Sequence, residues 1–174
     1  MNPIPIFKDK RGVFIPYSYK HNDTIWDQMN ISINTKKYTF RGMHYQTNPP
    51  QLKQVKVIQG RAIDFLYNLK THEVKTYELD LNNDLLIDPK YAHGFLTLED
   101  NTIFTYKVSS EYNPNSEHSI VWDTIPEIKK VINDIVGDNK LIISKKDKNN
   151  SQLLQLIGTL NFQIKKYQIA EEYL

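Results

Sequence analysis

"QVKVIQGRAIDFLYNL", residues 54–69, is the stretch from which the fold is read. Two apolar, strand-like runs flank Gln59-Gly60-Arg61. Gly60, lacking a Cβ, can supply the positive φ of a tight hairpin between them. The chain on either side follows the same pattern. "NISIN" at 30–34 alternates, with Ile31 and Ile33 on one face and Asn30, Ser32 and Asn34 on the other. "VKTYELDL" at 74–81 puts Tyr77, Leu79 and Leu81 together. "DLLIDPKYAHGFLTL" at 84–98 is apolar on both faces and broken at Asp88-Pro89, a turn or edge signal. "NTIFTYKVSSEYNP" at 101–114 sets Phe104, Tyr106 and Val108 against Ile103, Thr105 and Lys107. Many short strands between turns, from Arg11 to about Trp122, predict an antiparallel sandwich or barrel rather than βαβ units.

The last fifty residues change character. "PEIKKVINDIV" at 126–136 places Ile128, Val131, Ile132 and Ile135 at helical spacing, with Gly137 as the stop. "SQLLQLIGTLNFQIKKYQIAEEYL" at 151–174 is also helix-compatible, weakened by Gly158. At 174 residues, with 40% apolar and 24% charged side chains, the chain reads as one domain spanning 1–174. Its barrel core runs over about 11–122 and a helical segment over about 125–174. A net charge of +2 gives no reason to expect nucleic acid as a partner. There is no cysteine, so disulfides, zinc thiolates and a cysteine nucleophile are excluded. "MNPIPIFKDKRG" carries no signal-peptide pattern and no long apolar run follows. A soluble, cytoplasmic protein with no membrane partner is expected.

Chemistry is suggested first by "RGMHYQTNPPQLKQVKV", residues 41–57, where an arginine, a histidine and two lysines stand in what reads as core strand. Arg41, Lys53, Lys56 and His93 are candidates for an anion site, since clustered donors suit phosphate oxygens. The residues alone leave a plainer reading open: edge cations exposed to water, a structural histidine, and a core tyrosine at 106 with its hydroxyl at the rim. His21, His44, His72, His93 and His118 are scattered, without an H-x-H pair, so no metal is expected. Walker, G-x-S-x-G and G-x-G-x-x-G signatures do not occur.

Taken in order, "RGMHYQ", "PPQLKQVKVIQGRAID", "YAHGFLTLED", "FTYKVSSEYNP" and "IVWD" resemble the dTDP-4-dehydrorhamnose 3,5-epimerase family. The likeness extends from "KDKRG" at residue 8 to "SKKD" at Asp147. The resemblance implies a mainly β, jelly-roll (cupin-type) barrel, a homodimer with exchanged N-terminal strands, and an isomerase. That isomerase acts on a nucleotide-diphosphate 4-keto-6-deoxyhexose in surface-polysaccharide (lipopolysaccharide or capsule) synthesis, without a cofactor. It also implies roles. His44 is the general base, oriented by Asp147, and Tyr106 is the proton donor on the opposite face of the sugar. Lys53 lies against the C4 carbonyl with Asp64 beside it. Arg11, Arg41 and His93 hold the sugar and diphosphate, Gln28 and Asn30 of "DQMN" contact the nucleotide, and Glu117 and Lys146 make further substrate contacts.

The residue types suit that chemistry on independent grounds. A C4 ketone acidifies the hydrogens on C3 and C5, and inversion removes a proton from one face and returns one to the other. Imidazole, with an ordinary pKa of about 6.5, is an apt base, and a carboxylate on its far nitrogen fixes the tautomer. A tyrosine stays protonated at neutral pH yet can protonate a carbanion. A cation stabilises the enolate, worth about 3–4 kcal/mol of barrier. The chain departs from the family pattern at Pro16, at Asn68-Leu69-Lys70, at Glu111-Tyr112 and in "WDTIPEIKKVIND". The nucleotide base, the hexose and the choice of C3, C5 or both stay open. So do a 3,4-ketoisomerase and a non-catalytic sugar-nucleotide-binding barrel.

Overall fold

The computed structural model describes residues 6–18, 25–144 and 147. Among the described residues, eleven strands form two antiparallel sheets. The first contains β1 (Phe7–Asp9), β2 (Gly12–Ser18), β3 (Gln28–Asn34), β10 (Thr102–Val108), β5 (Lys53–Gln59) and β8 (Asp84–Ile87), in that order. The second runs β11 (Glu117–Ser119), β4 (Phe40–Gln46), β9 (Tyr91–Thr97), β6 (Ala62–Asn68), β7 (Val74–Leu79). This is the mainly β architecture expected from the strand pattern, of the jelly-roll type that the family resemblance implies. After the strands comes α1 (Pro126–Val136), with Pro126 in its first turn and Gly137 (φ +54) ending it. The second helix-compatible stretch, at 151–174, lies outside the described residues.

The burial pattern shows three layers. Between the sheets lie Val55, Val57, Ala62, Leu66, Leu79, Ile87, Phe95 and Phe104. The rings of Phe95 and Phe104, one from each sheet, stack at 3.9 Å. On the far side of the five-stranded sheet, Phe40, Met43, Phe65, Ala92 and Leu96 pack against Ile128, Ile132 and Val136 of α1. α1 therefore covers the outside of one sheet, and the space between the sheets is left to a mixture of apolar and polar side chains.

One local reading needs correction. Residues 54–69 do not form a hairpin: β5 pairs with β10 and β8, whereas β6 pairs with β9 and β7. Gly60 (φ +78) takes the chain from one sheet to the other, with room for no side chain, since a Cβ there would sit 2.6 Å from Thr102 Oγ1. Both runs are apolar because both line the same interior, and periodicity does not distinguish that from mutual pairing. In β7 only Leu79 is buried, while Tyr77 and, beyond the strand, Leu81 are exposed because this is a sheet edge. In β3 the buried face is the polar one: Gln28, Asn30, Ser32 and Asn34 are buried, and Met29, Ile31 and Ile33 are only half-buried on the outside.

Candidate active site

The site begins with an irregularity in β4. Arg41 pairs with Phe95 and His44 with His93, so three steps along β4 match two along β9. The extra residue is a β-bulge, and it reverses the alternation. Phe40 and Met43 consequently both join the helix-covered core. Arg41 and His44, three apart, reach Asn34 and Asp147 respectively. The bulge depends on two glycines. A Cβ on Gly42 (φ +134) would lie 2.5 Å from the Gly94 Cα, and one on Gly94 would lie 2.7 Å from Met43 Sδ.

His44 Nε2 lies 3.3 Å from Asp147 Oδ1. Ser144 donates from Oγ to Asp147 Oδ2 at 2.7 Å, and Arg11 Nη1 approaches the same oxygen at 3.5 Å. Burial pushes the Asp147 carboxyl up, but the bonds and charges of His44, Ser144 and Arg11 outweigh it, and its pKa falls below the ordinary value. Asp147 is therefore an anion at neutral pH, placed to fix the ring of His44. The other ring nitrogen, Nδ1, faces Glu117 Oε1 at 4.0 Å, and Tyr112 donates to Glu117 Oε2 at 2.9 Å.

A second imidazole–carboxylate pair stands beside the first. His93 Nε2 lies 2.7 Å from Asp64 Oδ2, both buried. Burial raises the Asp64 carboxyl against the pull of His93 and Lys53. Its Oδ1 has no hydrogen-bond partner among the described residues. Lys53 is buried, donates to the His44 carbonyl at 3.3 Å, and is lowered to about 8 by loss of solvent, against the charges of Asp64 and Glu117. Tyr106, which pairs with Asn30 across β3 and β10, has its ring 6.3 Å from that of His93. Burial pushes its hydroxyl up to about 12, partly offset by Arg41 and Arg11.

Arg41 is lowered to about 10 by burial and by the neighbouring charge of Arg11, with Asp9, Tyr106 and Asp147 acting against this. Arg11 is engaged by Asp9, at 2.7 Å between Nη2 and Oδ2, as well as by Asp147. Gln28 donates to Asn30 Oδ1 at 2.6 Å and accepts from the Tyr112 backbone at 3.0 Å.

The structure thus brings together His44, Asp147, Arg11, Arg41, Lys53, Asp64, His93, Tyr106 and Glu117, with Gln28 and Asn30 along the same inner face of β3. Lys56 does not join them: on β5 the buried positions are 53, 55 and 57, which turns Lys56 outward. Lys146 lies outside the described residues. His44 and His93, far apart in sequence, are cross-strand partners, each with its own carboxylate. Three participants escaped the sequence reading. Ser144 had a signal, since the S-x-x-D spacing of Ser144 and Asp147 is that of a capping motif. Asn34, which accepts from Arg41 Nε at 2.9 Å, had one in the polar face of β3. Tyr112 had none.

An arginine pair, two oriented imidazoles, a buried ammonium and a buried phenol equip the interior to bind an anion and move protons beside a stabilised oxyanion. Comparison with known proteins places the chain in a family. The profile of the dTDP-4-dehydrorhamnose 3,5-epimerase family matches residues 3–155. The enzyme of that name from Methanothermobacter thermautotrophicus is 30% identical over 165 residues, 83% of either chain. A crystal structure of the Bacillus anthracis dTDP-4-dehydrorhamnose 3,5-epimerase with TDP and PPi bound is 28% identical and superposes with a TM-score of 0.60, over 83% of this chain and 87% of that one. The dTDP-6-deoxy-D-glucose-3,5-epimerase of Legionella pneumophila in complex with dTDP-4-keto-L-rhamnose gives 27% and 0.61, over 84% and 82%. With a matching profile over most of its length and a 30% identical relative, this chain belongs to the dTDP-4-dehydrorhamnose 3,5-epimerase family of isomerases.

Proposed function

We propose that this protein epimerises a nucleotide-diphosphate-linked 4-keto-6-deoxyhexose at C3, C5 or both. His44 removes the proton on carbon adjacent to the C4 ketone, the electron pair moves onto the C4 oxygen as an enolate, and Tyr106 returns a proton to the opposite face. Asp147 holds the His44 tautomer and stabilises the imidazolium formed. Lys53, still mostly protonated at neutral pH, faces the enolate oxygen, with the His93–Asp64 pair behind it. Arg41 and Arg11 take the diphosphate, Arg11 exchanging its contact with Asp9 for a phosphate. Gln28 and Asn30 contact the nucleoside and Glu117 the sugar. Names of the relatives favour dTDP as the carrier, and the setting is deoxysugar supply for surface polysaccharide in the cytoplasm. No helix among the described residues is long and apolar enough to cross a membrane. The working form is a homodimer.

The observation that carries this reading is the His44–Asp147 pair at 3.3 Å, in one interior with Lys53 and Tyr106. The test is NMR of dTDP-4-keto-6-deoxyglucose incubated with the protein in D₂O. Deuterium should enter at C3 or C5, and His44→Ala should slow its entry by roughly 10²–10⁴-fold. Entry at neither carbon with the wild-type protein sinks the proposal, and the number of labelled carbons separates single from double epimerisation.

A further inference from the structure

The buried face of β3 ends at Asn34, which has no solvent exposure and uses both ends of its amide. Nδ2 donates to the carbonyls of Ser32 and Thr102, each at 3.1 Å. Oδ1 accepts from Ser32 Oγ at 3.1 Å and from Arg41 Nε at 2.9 Å. The network settles which way the amide points. Turned over, its NH₂ would face the Nε–H of Arg41 and its oxygen would face two carbonyls.

Arg41 reaches Asn34 from the opposite sheet. A guanidinium is planar, so fixing Nε fixes where the other nitrogens point. Nη2 is buried with no hydrogen-bond partner among the described residues. A buried donor of that kind is costly unless a ligand supplies an acceptor. Asn34 is neutral, so it orients the cation without neutralising it. The competing partners are anions: Asp9 and Asp147 both act on Arg41. An arginine free to rotate would turn its end-on edge towards one of them.

We propose that Asn34 is a positioning residue, holding Arg41 by Nε so that Nη1 and Nη2 stay aimed at the diphosphate of the substrate. This rests on the sugar-nucleotide reading above, and it adds a residue to which no role in that reading was given. Because the device lies on the β3 scaffold and is tied to β10 through Thr102, the anion site is set before the ligand arrives, and less freedom is lost on binding.

The test is calorimetric titration of the intact protein with dTDP and, separately, with inorganic pyrophosphate, which carries the phosphates without base or sugar. Asn34→Leu should weaken both probes about tenfold, the scale of one charge-assisted hydrogen bond. In an Arg41→Lys background, which has no Nε–H to hold, the same change should alter affinity by less than about twofold. Equal weakening in the two backgrounds, or none in either, overturns the inference. If Asn34→Leu does not fold, Asn34→Ser replaces it. Its hydroxyl is too short to reach Nε but can still donate to a main-chain carbonyl, and the same thresholds apply. A wild-type protein that binds neither probe overturns the sugar-nucleotide reading and this inference with it. Tight wild-type binding matched by the variants overturns the inference alone.

Discussion

At the scale of single residues, the site combines groups that burial drives in opposite directions. Loss of solvent lowers the Lys53 ammonium to about 8 and raises the Tyr106 hydroxyl to about 12. The tyrosine therefore keeps its proton through the whole working range, whereas the lysine titrates within it. In the proposed mechanism Lys53 serves the enolate only as a cation, and its charged form predominates below its pKa and disappears above it. As pH rises through about 8, kcat/KM, which reports the free enzyme, should fall tenfold per pH unit. Lys53→Gln should abolish that limb and lower kcat/KM by about 10²–10³. A pH–rate profile on the NMR-monitored reaction decides this, and a profile flat to pH 10 would exclude an obligatory ammonium. Among the described residues, His44, Asp147, Lys53 and Tyr106 could be named from sequence because their order and local motifs carry a family likeness. Other hydrogen bonds that order the site could not: Ser144 engages Asp147, Asn34 engages Arg41, and Tyr112 engages Gln28, 84 positions away.

At the scale of elements, the β4 bulge decides the site, and the backbone packing of Gly42 against Gly94 decides the bulge. Gly42→Ala places a Cβ at positive φ and 2.5 Å from another main-chain atom, where no side chain can move aside to make room. The expected cost is about 2 kcal/mol or more, read as a lower urea midpoint, and the fraction still folded should have lost exchange activity because Arg41 and His44 no longer share a face. A variant of unchanged stability would mean that the strands separate freely and that the bulge is not set by these glycines. A bulge is invisible to period-two reading, because the pattern "FRGMHYQ" only makes sense once one residue is taken out of register. The same limit explains the misread turn at Gly60, where local sequence gives two strands and a reversal but not which sheet each strand joins. Periodicity sufficed for the presence of β3, β9 and β10 and for the bounds of α1. It did not reveal that β3 turns its polar face inward, since burial follows from the site that face helps to build rather than from hydropathy.

At the scale of the whole molecule, the two sheets are treated unequally. The five-stranded sheet has its outer face covered by α1. Over the six-stranded sheet, cross-strand rows Val13–Ile33–Ile103 and Ile15–Ile31–Thr105 lie on the outward side, half-buried apart from the buried Thr105. At its edge β1 is exposed throughout, with Ile6 and Phe7 more than half accessible. An apolar sheet face and an apolar edge strand are liabilities in a lone chain and are ordinary features of a subunit interface. In the homodimer proposed above, a second copy of this chain would satisfy both, because a two-fold axis lets each face cover its own equivalent. Sedimentation velocity at micromolar concentration should show a dimer, and Ile31→Lys combined with Ile33→Lys should convert it to monomer. Both side chains point away from the inner face that carries Asn30, Ser32 and Asn34, so the monomer should keep its β-sheet circular dichroism. A wild-type protein that sediments as a monomer would leave these rows exposed and remove the argument for a dimer. A double variant that remains dimeric would place the interface on another surface.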